Sequence, residues 1–148
     1  MNEGIFSIVG SALNAQDIRM GAISSNLANA SSVAAPGQQP YRAHELVFQA
    51  QPMVDSEYDG DGPGGASDAT ALGVQVVATV QSNAPPTRKY DPGNPYADST
   101  GYVTSSNVSP VDEMVNMIDS SNSYSACVAM LQQASRIDQQ MISSFQVT

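Results

Sequence analysis

Residues 4–30 read GIFSIVGSALNAQDIRMGAISSNLANA, and this stretch decides the plan of the chain. Phe6, Leu13, Met20 and Leu27 recur at every seventh position, and Val9, Gln16, Ile23 and Ala30 stand three residues after each. Alternating spacings of three and four put these side chains on one side of an α-helix. The pattern therefore predicts an amphipathic helix with an a/d seam, broken by one polar member, Gln16. Such a helix would run about 40 Å. Gly10 and Gly21 lie inside it and cost up to about 1 kcal/mol each relative to Ala. They are expected to permit close approach of another helix.

Proline then partitions the chain. All nine prolines lie between Pro36 and Pro110, and proline breaks helix interiors, so only the two ends are free to form long helices. At the second end Ser109 fits an N-cap and Pro110 the first helical position. Asp112 and Glu113 place negative charge in the first turn. An apolar stripe follows at Met114, Met117, Tyr124, Val128, Leu131, Ile142 and Phe145. It drifts as a 3.6-residue helix drifts against a strict heptad, and it predicts a second helix of about 57 Å from Ser109 to about Val147.

The middle reads as β-structure and loops. Tyr41–Ala50 and the valine-rich Gly73–Val80 are strand candidates, with short strands at Lys89-Tyr90 and Gly101-Tyr102-Val103. Asp55–Ala71 is polar and glycine-rich and is expected to be a flexible loop. The fold class is α+β. Long N- and C-terminal helices are expected to pair as an antiparallel coiled-coil-like bundle around a small β-rich insert with loops. The divisions are residues 1–35, 36–108 (with the loop at 55–71) and 109–148. A pair of helices covers only part of each apolar stripe, so the remainder needs other subunits, which marks an assembly protein. An ordinary helical bundle or coiled-coil dimer accounts for the periodicity equally well.

Chemistry is sparse. The net charge is −9 and only Arg19, Arg42, Arg88, Lys89 and Arg136 are basic, which argues against nucleic acid and anionic membrane surfaces. No apolar run is long enough for a membrane span. The N-terminal stretch lacks a basic segment followed by an apolar one, so no Sec-type signal is expected there. Cys127, the sole cysteine, forms no intrachain disulfide and reads as a small residue beside the seam. Asp55, Glu57, Asp59 and Gly60 match the start of a calcium-binding loop, but Ala66 stands where a bidentate Glu is required. His44 and Glu45 point to opposite faces of a strand, so His44 reads as a solvent or interface residue rather than a base. No catalytic residue, metal site or cofactor is expected, and the chain is not read as an enzyme.

Longer motifs add a resemblance. Ser25-Asn26-Leu27-Ala28-Asn29-Ala30 resembles the signature near the N-terminus of flagellar axial proteins, the rod and hook subunits. Tyr90-Asp91-Pro92-Gly93-Asn94-Pro95-Tyr96-Ala97-Asp98, then Gly101-Tyr102-Val103, Asn107-Val108 and Glu113-Met114-Val115, are similar to the short proximal-rod members of that family. Pro40-Tyr41-Arg42 and Val47-Phe48 fit the same members. The resemblance implies a structural subunit of the basal-body rod in the periplasm, exported by the flagellar apparatus without a cleaved signal. It implies self-association, contact with other rod proteins, the rod–ring junction protein and the inner-membrane ring protein, and transmission of torque. The helix seams Phe6, Val9, Leu13, Met20, Ile23, Leu27, Met114, Met117, Tyr124, Val128, Leu131, Ile142 and Phe145 would be its subunit interfaces. The competing reading is a soluble helical adaptor or export chaperone.

Overall fold

The computed structural model describes residues 3–53 and 71–145. The elements run α1 (Glu3–Asn29), β1 (Val33–Ala34), β2 (His44–Met53), β3 (Ala71–Gln81), β4 (Thr87–Tyr90), β5 (Tyr102–Ser105) and α2 (Pro110–Phe145). Local chemistry sets the start of α2 and the end of α1. At the α2 start, the Asp112 N–H donates to the Ser109 hydroxyl at 3.4 Å and the Glu113 N–H to the Ser109 carbonyl at 3.0 Å. That is an N-cap followed by the first helical bond. At the α1 end, the Asn29 carbonyl accepts both the N–H and the hydroxyl of Ser32, at 3.0 and 2.7 Å, and the chain leaves the helical path.

β2 and β3 pair antiparallel from His44↔Gln81 to Met53↔Ala71, with a register shift after Val47 that leaves Val77 without a cross-strand partner. This bulge kinks the ribbon. The ribbon lies along α1: His44 meets Asn26 near one end of the helix, and the Val74 N–H donates to the Ser11 hydroxyl at 3.1 Å further towards the other. A second sheet has the order β1-β5-β4, antiparallel throughout. β1 follows α1 and β5 leads into α2, so their pairing brings the exit of one helix beside the entry of the other. Ser106 locks this point. Its N–H donates to the Ser32 carbonyl at 3.2 Å and its hydroxyl to the Ala30 carbonyl at 2.8 Å. Val103 and Val108 are buried on either side.

The α+β class is as the pattern predicts. Two details differ. β2 begins at His44 rather than Tyr41, because Tyr41 turns its hydroxyl onto α1 instead of extending the strand. β1 was not foreseen, since two residues carry no periodicity. The acidic stretch with its calcium-like spacing lies outside the described residues. Among the described residues no helix is long and apolar enough to cross a membrane, and no cluster of metal-ligating side chains occurs.

Candidate assembly surface

The two helices touch along a seam of small and polar side chains. Contacts step in opposite directions along them. Phe6 shares a groove with Leu131 and Ser135; the Ser120 hydroxyl donates to the Gln16 side-chain oxygen at 3.0 Å; Arg19 pairs with Asp119 at 3.4 Å; Asn26 shares a groove with Glu113 and Asn116. α1 has buried Val9, Ala15, Ile23 and Asn26, while among the described residues the buried side chains of α2 are Ser120 and Cys127. Because Phe6 lies level with Leu131, the last turns of α2, from about Ile137, run past the first described residue of α1.

Only part of the stripe named on α2 from the sequence is covered within the subunit. Met114, Tyr124 and Ile142 are exposed; Met117, Val128 and Leu131 are half-buried; the Phe145 side chain lies outside the described residues. The buried α2 residues Ser120 and Cys127 lie beside that stripe, among the described residues. On α1, Val9 and Ile23 are buried within the subunit, and Phe6, Leu13, Met20 and Leu27 are half-buried. Gly10 and Gly21 face open space, where an added Cβ would meet nothing, so no close approach occurs at them inside the subunit. A large apolar surface is left bare. Val111, Val115 and Ile118 are each more than 60 % exposed, and Met130, Ile137 and Met141 continue the exposed surface along α2.

The asparagine motif joins helix to sheet. Asn26, 2 % exposed, holds the first residue of β2 at two points: its Nδ2 donates to the His44 carbonyl at 3.0 Å, and its Oδ1 accepts the His44 N–H at 2.8 Å. Tyr41 donates its hydroxyl proton to the same Oδ1 at 3.0 Å. That proton being committed, Ser25 and the His44 Nδ1 are the donors towards the Tyr41 oxygen, both at 3.1 Å, so neutral His44 carries its proton on Nδ1. His44 is thus half-buried and bonded inside the subunit, not the solvent or interface residue of the sequence reading. Asn107 grips the ribbon from the other side: Oδ1 accepts the Ala43 N–H at 2.8 Å and Nδ2 donates to the Ala84 carbonyl at 3.0 Å. Asn29 bonds back to the Ser25 carbonyl at 2.8 Å, and Leu27 and Ala28 lie half-buried and exposed beside it.

Residues 90–102 fold back on themselves. The Asp91 N–H donates to the Gly101 carbonyl at 3.0 Å, Asn94 to Asp91 at 3.2 Å and Ala97 to Asn94 at 3.0 Å. Gly101 sits at φ +80, and a Cβ there would lie 2.9 Å from the Tyr90 ring, so the position is made for glycine. Asp98 gathers donors. The Thr100 hydroxyl, then the Tyr102 N–H, hold its pKa down at about 2, helped by the Thr100 N–H and the Arg88 charge and opposed by partial desolvation. Tyr90 and Tyr102 meet edge to face at 5.2 Å, and the Arg88 guanidinium lies 5.1 Å from the Tyr102 ring centre. Tyr90, Pro92, Gly93, Pro95 and Tyr96 face outward.

Comparison with known proteins fits this geometry. Residues 7–34, covering most of α1 and all of β1, match the family described as flagella basal body rod protein. Residues 99–144, covering β5 and α2, match the flagellar basal body rod FlgEFG protein C-terminal family. The flagellar basal-body rod protein FlgC of Salmonella typhimurium is 47 % identical over 127 residues, 86 % of this chain and 85 % of its own. The chain belongs to the FlgC family. FlgC of Escherichia coli O157:H7 is 46 % identical over the same shares, and FlgC of Borreliella burgdorferi is 35 % identical over 83 % of this chain and 86 % of its own. As a member of the FlgC family the chain is a structural rod subunit of the flagellar basal body and not an enzyme. The two matched stretches are the helices and the strands that bring their ends together. In this FlgC-family chain the large apolar residues of α2 are thus presented by a rod subunit that associates with other rod components.

Proposed function

We propose that this subunit joins the proximal rod by bundling α1 and α2, as an antiparallel coiled-coil-like pair, with the helices of neighbouring subunits. One observation carries the reading. The seam inside the subunit is closed by Ser120 and Cys127, while Val111, Met114, Val115 and Ile118 stand outward. Burying a large apolar side chain is worth roughly 1.5–3 kcal/mol, so several of them repeated along a helix can drive assembly. A helical filament uses heterologous contacts, one patch meeting a different patch on the next copy. Phe6, Leu13, Met20, Leu27, Met117, Tyr124, Val128, Leu131, Ile142 and Phe145 would join that bundle. The β-insert, with its rigid Tyr90–Tyr96 segment, would key subunits from outside. Neighbours are other rod proteins, the rod–ring junction protein and the inner-membrane ring protein. The rod crosses the periplasm and carries torque, and the subunit arrives there without a cleaved signal.

Replacing exposed Ile118 with Asp tests this. The purified subunit should fold with unchanged stability, because the side chain is 62 % exposed, yet cells should form no complete rods and lose motility. Normal rods carrying this change would exclude bundling through the outer face of α2.

A further inference from the structure

β2 pairs only with β3, so its other edge carries no strand. The register shows which backbone groups stand on that edge. His44 turns both its N–H and its carbonyl onto Asn26, and Val74, opposite Ala50, gives its N–H to Ser11. In an antiparallel pair such positions alternate with ladder-bonded ones, so Leu46, Phe48 and Ala50 also point their N–H and C=O groups away from β3. Pro52, which has no N–H to give, falls in the same series. The outward groups of Leu46, Phe48 and Ala50 have no hydrogen-bond partner among the described residues. The edges of β4 and β3 are guarded by comparison. β4 is four residues long, carries Lys89 and stands between Pro86 and Pro92. On β3 the Val74 N–H is taken by Ser11, and the bulge at Val77 bends the strand. The bare β2 edge borders a groove whose other walls are Arg19, Ala22 and Ile23 of α1 and Glu113 and Asn116 of α2.

We propose that the β2 edge takes up an extended, basic segment of a different rod protein as an added β-strand. This rests on the reading of the chain as an assembling rod subunit and assigns one contact to its insert. Outward N–H and C=O groups two residues apart match the backbone of another strand, while pockets beside them select its side chains. Asn26 closes the edge at His44 and Pro52 withholds a donor at the far end, so the site extends over residues 45–51. Charge decides the partner. Arg19 is the one Arg or Lys lining the groove and is paired with Asp119 at 3.4 Å, while Glu45 and Glu113 leave the groove net negative. This chain has no basic strand of its own to offer. Arg19 and Arg136 lie in helices, and Arg88 and Lys89 lie in the guarded β4. Arg42 stands between Tyr41 and Ala43, which asparagine side chains of the same subunit hold in place. Residues 54–70 contain no Lys or Arg. Neither that segment nor a second copy matches the groove, and the strand comes from another polypeptide of the rod.

A proline placed by parity tests it. The Ala50 N–H points outward, so Ala50→Pro removes a donor that the β2–β3 ladder does not use. The purified variant should melt within about 5 °C of the parent, yet the yield of rods in cells should fall about tenfold or more. Ala50→Ser keeps the N–H and should assemble to within about twofold of the parent. Phe48 is 41 % exposed, so benzoylphenylalanine in its place can report on the occupant. Irradiated cells should give a cross-link to a rod protein other than this chain, within an extended stretch that holds Lys or Arg. A cross-link to a second copy, to a helix or to a stretch without Lys or Arg would overturn the assignment, as would none. Should Ala50→Pro melt lower than expected, the cross-link alone decides. Normal rods with Ala50→Pro would overturn strand addition, and leave bundling standing if Ile118→Asp still blocks them. Blocked rods with Ala50→Pro beside normal rods with Ile118→Asp would keep strand addition and remove bundling.

Discussion

Gln16 and Ser120, 104 residues apart in the chain, meet midway along the overlap of the two helices, where the Ser120 hydroxyl donates to the Gln16 side-chain oxygen at 3.0 Å and Ser120 is fully buried. Gln16 is the one polar break in the α1 heptads, and Ser120 is its buried polar partner on α2. A buried polar pair of this kind fixes the register of a helix pair, since a shift leaves both groups unpaired in a dry seam. Replacing Ser120 with Leu should force the helices apart and cost about 1–3 kcal/mol in urea unfolding of the purified subunit. A leucine variant as stable as the parent would mean that the seam is looser than the structure gives it.

Asn26 makes three bonds to the start of the insert, two to the His44 backbone and one to Tyr41. Asn26→Ala should remove about 2 kcal/mol or more, because the His44 N–H and carbonyl are left without partners beside α1. Hydrogen exchange should show β2 opening before either helix unfolds.

Two glycines should respond oppositely to alanine. At Gly21 an added Cβ meets nothing, so Gly21→Ala should raise helix stability by up to about 1 kcal/mol. At Gly101 the backbone stands at φ +80, and Gly101→Ala should cost about 1–3 kcal/mol. The Tyr90 ring can swing aside, but the backbone strain remains. Thermal melts of the two variants should therefore move in opposite directions.

Acid should loosen the 90–102 segment in a defined window. Asp98 is depressed from 3.8 to about 2 by the Thr100 hydroxyl first, then the Tyr102 N–H. The folded state thus prefers the ionised form. Its contribution is complete above pH 4, where the unfolded group is ionised too, and fades as pH falls through 2. Amide shifts of Thr100 and Tyr102 should titrate in that range in the parent and stay flat in Asp98→Asn.

Much of this was legible in the residues. Proline placement, the Ser109–Pro110 cap and the α1 heptads depend on local sterics and backbone hydrogen bonding, and the helices lie where those signals put them. The Asn26 and Tyr90–Tyr102 motifs were legible as a family likeness, but not what each side chain bonds. His44 illustrates the gap: nothing adjacent to it in sequence marks it as a partner of Tyr41 and Asn26.

By itself, then, the sequence determined two long terminal helices, a β-rich insert and a surplus of apolar helix surface, because helix periodicity and chain breaks are local properties. Only the tertiary structure decided which side of α2 faces α1. A helix presents several faces, and the choice is set by the partner that approaches it. Here β1 and β5 join the helix ends, and the small residues Ser120 and Cys127 admit the closer contact. The larger Val115 and Ile118 are thereby turned outward, available to the rest of the rod.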